Sequence, residues 1–560
     1  MTPVTRSTVL RLSPLALALL AAPVFAQQAP PTGGELLRRA QPSQPPLPQP
    51  EPGLQIQSPA GQAGDNTPFA VKQIVLRGNT IFHTDTLHAL VADGEGHTQT
   101  LTSLTMLAQR VTDYYRAHGY PLSRAIVPVQ TLSDGVVQFT VIEARYDKVQ
   151  LANHSRVKTS LLNATLSPLQ SGQPVTQDAL DRQLMLLNDL PGVQSHAVLS
   201  PGSTPGTSDL SVDAQALPPV TGNLTLDDGG DRYTGRIRLG GNVAVNNLAG
   251  LGDQLSVGLL ASDEHMQYGH IAYDFALNGE GTRFGAAYSG LSYRLGDGLS
   301  DLDAGGHATE ASAWLSQPIV RSPTTNVSAR LEVDNHDLHD DTGNTDVHDD
   351  RHTWDWTLST TLDHRDGWGA GGVTQGQLSV TRGQLGFDNA AAQAGDAATA
   401  DTQGHELHWD GGVSRLQTIT AATRLYVAVS GQYSHRNLDS SEQFLLGGMQ
   451  SVRGYEVSTL AGASGYLTTV ELRHDLRLPD GAWQGSMFAD QGGLWINPEP
   501  WAGLTGSNHA TLSSVGLGLN WAGPDQWTAQ VQVGQPVGGT PELAGERPST
   551  RAWVQVSKGF

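Results

Sequence analysis

The segment TWDWTLSTTLD, Thr353–Asp363, puts Trp354, Trp356, Leu358 and Leu362 on one face of an extended chain. Asp355, Thr357, Ser359 and Asp363 fall on the other. Successive side chains of a strand point to opposite sides, so this is a strand with one apolar and one polar face. NVSARLEVD (Asn326–Asp334) does the same, with Val327, Ala329, Leu331 and Val333 opposite Asn326, Ser328, Arg330 and Glu332. In YTGRIRLGGNVAVN, Tyr233, Ile237, Leu239, Val243 and Val245 oppose Thr234, Arg236, Arg238, Asn242 and Asn246. About 16 such segments follow one another from residue 218 onward. A soluble sandwich also alternates. An unbroken series of this length, with charges recurring on the polar face, favours a closed antiparallel barrel that crosses a membrane around a polar lumen.

Composition agrees. Only 38% of the 560 residues are hydrophobic and 64 are glycine, which suits a wall where alternate residues face lipid. A net charge of −21 argues against a nucleic-acid partner. The chain has no cysteine, so an exported protein of this size does not rely on disulfides. Residues 1–26 read as a signal peptide: Arg6 and Arg11, an apolar core from Leu12 to Val24, and a small-residue cleavage site ending at Ala26. Beyond it no run of 18 apolar residues suggests a membrane helix.

The connections alternate in length. NGEG, LPDGA and GPDQ are short. SYRLGDGLSDLDAGGH, NHDLHDDTGNTDVHDDRH, GQLGFDNAAAQAGDAATADTQGHE and GQPVGGTPELAGERPST are long. Short periplasmic turns and long external loops characterise outer-membrane barrels. The series ends in RAWVQVSKGF, a strand closing on Phe560.

Residues 27–68 carry ten of the 31 prolines and read as a linker, interrupted by a possible short helix in GGELLRRAQ (Gly33–Gln41). Residues 69–145 read as β-α-α-β-β. FAVKQIVLRG is a strand, and Leu101, Leu104, Ala108, Val111 and Tyr115 mark one face of a helix. AIVPVQTL and GVVQFTVIEA are strands joined at Ser133-Asp134-Gly135. Residues 146–217 repeat the order more weakly, around the helix VTQDALDRQLMLLNDLPG. Residues 218–560 are then the barrel.

Within the sixth external loop lies GGMQSVRGYE, Gly447–Glu456. Arg453 stands there between a valine and a glycine, with no catalytic partner nearby in sequence. A late strand, MFADQGG, carries Phe488, Asp490 and Gly492 on one face.

Over nearly its whole mature length the chain resembles the outer-membrane transporters of two-partner secretion. These are the haemolysin secretion/activation and filamentous-haemagglutinin transporter family. The likeness rests on V-R-G-Y at Val452, Arg453, Gly454 and Tyr455, and on F-x-D-x-G at Phe488, Asp490 and Gly492. NNLAGLGDQLSV (Asn246–Val257), SYRLG (Ser292–Gly296) and QPIVRS (Gln317–Ser322) add to it. The resemblance implies a 16-stranded antiparallel transmembrane barrel. Two small α+β polypeptide-transport-associated (POTRA) domains and a plug helix precede it. It further implies that loop six folds into the lumen and that Arg453 reaches Asp490. Arginine's planar fork suits a carboxylate, Gly454 would permit a tight tip, and in a wet lumen the pair would contribute little to stability.

The implied function is export of a large partner exoprotein across the outer membrane, without nucleotide hydrolysis. The partner would be captured unfolded, through its N-terminal secretion domain, by POTRA domains in the periplasm, while the barrel contacts outer-membrane lipids. The alternative is a factor that inserts other barrels into the membrane, a class that usually carries more POTRA repeats. No P-loop, G-x-S-x-G or H-E-x-x-H is present, so no catalytic residue, metal or cofactor is expected. The His- and Asp-rich stretch Asn335–His352 reads as a solvated acidic loop.

Overall fold

The computed structural model describes residues 31–41, 67–131, 134–343, 347–504, 506–544 and 549–560. The signal-peptide reading of residues 1–26 and most of the Pro-rich linker fall outside the described residues.

Sixteen strands close into one antiparallel barrel. The first strand is Val220–Asp227 and the last Arg551–Gly559, and they seal the ring from Gln555 opposite Asp227 to Gly559 opposite Asn223. Phe560 continues the seam by exchanging main-chain hydrogen bonds with Gly222. The alternation has the polarity of a membrane wall. Trp354 and Trp356 are 56% and 57% exposed, while Asp355 between them is 1% exposed. Apolar side chains thus cover the outside and the charges line the inside, the reverse of a soluble core.

Two readings from sequence are corrected. Asn335–His352 is not a solvated loop. Most of it belongs to the long strands Thr325–Thr342 and Val347–Asp366, which pair from Thr325–His364 up to Thr342–Val347. Its alternate polar residues therefore face inward, and Arg351 is buried there. Tyr233 does not share the outward face of Leu239 and Val243, because that strand begins only at Arg238. Tyr233 is instead buried in an internal cluster.

Ahead of the barrel stand two small α+β units. In the first, strands Gln73–Arg77, Val136–Ile142 and Arg124–Ile126 form a sheet, with the first two parallel. The helix Leu101–Ala117 buries Leu104, Ala108, Val111 and Tyr115 against it, and Leu101 stays exposed. Thr100 and Ser103 cap its start reciprocally, which satisfies free N–H groups of the first turn. Below this core the Glu143 carboxylate accepts hydrogen bonds from Thr80 N (2.7 Å), Ile81 N (2.8 Å) and the Tyr115 hydroxyl (2.8 Å). An extra two-stranded ribbon, Phe69–Val71 with His97–Gln99, was not foreseen. The second unit has strands Arg145–His154, Thr207–Ala216 and Val193–Pro201, with helices Thr159–Leu166 and Gln177–Asn188 packed on them.

The second unit is bolted to the barrel at the turn after the strand Ala304–Arg321. Arg321 donates Nε to Asp189 Oδ2 (2.8 Å), Nη2 to Asp189 Oδ1 (2.6 Å) and Nη1 to Asn326 Oδ1 (2.8 Å). Asn326 in turn donates to Asp363 on the neighbouring strand (3.0 Å). This fork is why an arginine suits the end of QPIVRS.

Candidate functional site: a luminal clasp and a seated helix

Loop six, residues 435–463, turns into the barrel instead of projecting from it. A small internal hairpin, Phe444–Leu446 with Leu460–Gly462, carries its tip. Val452 and Tyr455 pack with Leu446, Leu494 and Leu512, which anchors the tip to the strands Ala482–Trp495 and His509–Ala522.

Arg453 is held on every side. Nε donates to Asp490 Oδ2 at 2.9 Å and Nη2 to Asp490 Oδ1 at 2.8 Å, a bidentate pair. Nη1 donates to Glu471 Oε2 at 2.8 Å. The guanidinium carbon lies 3.4 Å from the centroid of the Phe488 ring. The carbonyl oxygen of Arg453 accepts from the Trp553 indole at 2.8 Å. Asp490 also accepts from Thr469 and Ser514, both at 3.1 Å. Planarity lets a guanidinium bond at its edge and stack on its face together, which an ammonium cannot do.

The expectation of a wet, weak pair fails. Arg453 is 5% exposed and Asp490 2% exposed. The tip itself covers them, and Arg453 faces two carboxylates rather than one. The register brings the second: Glu471 sits directly across from Phe488, and Thr469 across from Asp490. Each motif position has a spatial reason. Phe488 supplies the ring and Asp490 the fork. Gly492 leaves room for Leu446, whose Cδ2 would stand 2.6 Å from a Cβ there. Gly454 serves close approach, since a Cβ would lie 2.8 Å from Ser514 Cβ and 2.9 Å from Pro536 N. The left-handed turn is taken at Gly447 and Gly448, with φ of 106° and 104°. Beside the clasp a polar cavity of about 690 Å³ remains, bordered by Gln377, Tyr426, Gln450, Arg473 and Gln532.

The second feature is the helix Gly33–Ala40, packed on the inner wall. Thr32 caps it by accepting from Glu35 N. Leu36 and Leu37 bury against Tyr268, Leu291, Ala308 and Leu338. The glycines that weaken its start in isolation are what lets it dock. A Cβ on Gly34 would lie 2.6 Å from Ser441 Cβ and 3.2 Å from Leu338 Cδ1. Gly33 N donates to Asp340 Oδ1 at 2.8 Å. Arg38 donates to the carbonyls of Ser441 and Gln443 in loop six, the first at 3.0 Å. The helix and loop six are therefore joined.

Two POTRA domains in front of a sixteen-stranded barrel whose own loop six packs its tip against the inner wall define an outer-membrane β-barrel translocator. Residues 206–521 match the family model of the haemolysin secretion/activation protein ShlB/FhaC/HecB, and residues 69–144 match the ShlB-type POTRA domain. The chain belongs to this family of two-partner secretion transporters. The heme/hemopexin transporter protein HuxB of Haemophilus influenzae strain 86-028NP is 26% identical over 88% of this chain and 87% of its own. The outer membrane transporter CdiB of Escherichia coli O6:K15:H31 is 27% identical over 85% and 84%. Among solved structures, CdiB from Escherichia coli superposes with a TM-score of 0.70 over 90% of this chain and 93% of that one, at 22% identity. BamA from Haemophilus ducreyi lacking POTRA domains 1–3 gives 0.52 at 13% identity, covering 88% of this chain and 100% of that one, a likeness of fold.

Proposed function

We propose that the clasp around Arg453 holds loop six in the lumen as the resting gate for one large exoprotein, and that the POTRA domains receive that protein in the periplasm. The observation that carries this reading is the burial of Arg453 between Asp490 and Glu471 beneath the loop's own tip. A buried charged clasp with so many partners defines one position for the loop, and a loop in that position obstructs the pore.

The partner arrives extended, led by its N-terminal secretion domain. Val193–Pro201 is a sheet edge paired on one side with Thr207–Ala216, so a partner strand can add to its other side. The helix Gly33–Ala40 acts as a second plug and leaves with loop six, to which Arg38 ties it. No nucleotide drives transport and no bond chemistry takes place. Direction comes from folding of the partner outside. The functional units are residues 27–68 (plug and tether), 69–145 and 146–217 (POTRA domains) and 218–560 (barrel).

The test is co-expression with a large candidate exoprotein from the same genome, scoring that protein in the medium. Secretion that requires residues 69–217 and Arg453, with the barrel present in the outer membrane, supports the reading. Secretion that persists without either overturns it.

A further inference from the structure

Carboxylates crowd one side of the lumen, beside the seated helix. Asp334, Asp355, Gly383 and Glu406 are cross-strand neighbours on four successive strands. Because position 383 has no side chain, Asp355 and Glu406 face each other across it. A Cβ there would collide with Asp355 Oδ1 and stand 2.6 Å from Glu406 Oε1. Both residues are buried, and Asp355 Oδ1 has no hydrogen-bond partner. Glu442 enters the same space from loop six, near His408 on the strand Gly404–Thr418. A fixed cation close by, Arg38, gives its N–H donors to the carbonyls of Ser441 and Gln443 rather than to these carboxylates. Buried carboxylates need a matched positive charge.

His408 is the informative residue. It is 3% exposed, and its Nδ1 has no hydrogen-bond partner. Its Nε2 stands 3.5 Å from Asp410 Oδ2 and 3.7 Å from Glu442 Oε2, longer than an ordinary N–H···O bond. One donor atom each from Glu406, His408 and Glu442 lies within 4.8 Å of the other two. Ligands held about 2.1 Å from a tetrahedral ion are roughly 3.4 Å apart, and the 3.7 Å between His408 Nε2 and Glu442 Oε2 is close to that spacing. The neighbouring trio Asp334, His336 and Asp355 is also within reach. There, however, His336 Nδ1 and Thr353 Oγ1 already share a hydrogen bond at 2.9 Å.

We propose that Glu406, His408 and Glu442 bind a divalent transition-metal ion of the zinc class. One imidazole and two carboxylates suit such an ion. Glu406 and His408 belong to the wall and Glu442 to loop six, so the ion ties the loop to the barrel at a second point, separate from the Arg453 clasp. It binds where Arg38 grips the two residues flanking Glu442.

The test uses the full-length protein in detergent, stripped with a chelator and titrated with Zn²⁺ by calorimetry, with Co²⁺ as a spectroscopic substitute. We expect saturable binding of a single ion per chain. His408→Gln and Glu442→Gln should each weaken it about tenfold or more, whereas His336→Gln leaves it in place. Heat-modifiable gel mobility verifies that each barrel is folded. Zn²⁺-soaked crystals of the unaltered protein should give an anomalous peak among the three side chains, which decides the matter even if a variant fails to fold. No saturable binding by the unaltered protein would overturn the proposal. So would binding unchanged in the folded His408→Gln/Glu442→Gln double variant, or a peak at Asp334, His336 and Asp355 instead.

Discussion

The indole N–H of Trp553, on the last barrel strand, is bonded to the main-chain carbonyl of Arg453 at the tip of loop six. The strand that closes the barrel seam is thus also fastened to the tip of loop six. Trp553 is fully buried, and the Arg551 guanidinium lies 4.4 Å from its ring centroid and donates to Glu456 just beyond the tip. The tip is therefore fastened at both ends of its short turn, to Asp490 and Glu471 through the arginine and to the last strand through Trp553 and Arg551.

The first prediction follows from burial of the clasp. Arg453→Ala leaves Asp490 without its cation, while Glu471 keeps Arg473 at 2.9 Å, and losing one member of a buried pair costs about 3–5 kcal/mol. That cost falls on the seat of the loop, because the wall is held by its own backbone ladders. At 1.36 kcal/mol per tenfold, a cost of about 4 kcal/mol shifts loop occupancy about a thousandfold. Arg453→Lys should resemble Arg453→Ala, since an ammonium cannot stack on Phe488 while bonding both carboxylates. The chain has no cysteine, so Gln450→Cys is a clean reporter. Maleimide labelling at position 450 should rise when the reporter is combined with either arginine variant, and partner secretion should fall, with the heat-modifiable barrel still present. Unchanged labelling would mean that other contacts suffice to hold the tip.

How far the sequence revealed this site depends on what each residue's pattern reports. The wall was legible because lipid and lumen sort side chains residue by residue, as at Trp354 and Asp355. Arg453 and Asp490 were legible through two short motifs in the expected order. Glu471 was not, since along its own strand it is one polar-face charge among several. Only its register opposite Phe488 brings it to the arginine. The His- and Asp-rich hairpin was misread because solvated loops and polar lumens tolerate the same composition. The docking role of Gly34 was not legible, because helix propensity rates a glycine in isolation, while here Ser441 and Leu338 occupy the space of its missing side chain.

The second prediction concerns that close approach. Gly34→Leu should push the helix off its seat, because a Cβ alone would stand 2.6 Å from Ser441 Cβ and 3.1 Å from the Ser441 backbone Cα. Deleting residues 27–60 removes the helix altogether. Both proteins should conduct more in planar bilayers and admit more antibiotic than the unaltered one, and both should still secrete. If conductance does not change, loop six alone closes the pore.

The third concerns the bolt between the second POTRA domain and the barrel. Arg321 is 9% exposed and grips Asp189 with two N–H groups and Asn326 with a third. Arg321→Ala leaves the barrel's own strands intact but frees the domain at its attachment. We expect faster proteolysis around residues 217–220 and several-fold weaker secretion, with normal barrel assembly. Asp189→Asn should have a smaller effect in the same direction, because an amide still accepts one bond. Normal protease resistance in Arg321→Ala would show that the remaining contacts hold the domain.

The fourth concerns pH and the first POTRA domain. Burial raises the Glu143 carboxyl, but hydrogen bonds from Thr80, Ile81 and Tyr115 outweigh it and leave the group below the ordinary glutamate range. A carboxylate whose folded pKa is depressed contributes stability that is full above its unfolded value, about 4.3, and is lost as pH falls through the folded value. Unfolding of the fragment 69–217, followed by circular dichroism in urea, should therefore become easier as pH drops below about 4. Glu143→Gln keeps one acceptor oxygen but loses the charge, and charge-assisted hydrogen bonds contribute about 1.5–3 kcal/mol each. The variant should be less stable than the unaltered fragment at neutral pH by about 1–3 kcal/mol, and the two should converge in acid, where Glu143 is protonated in both states. If the two urea curves keep their neutral-pH separation down to acid, the loss in the variant is steric, and Glu143 contributes no pH dependence.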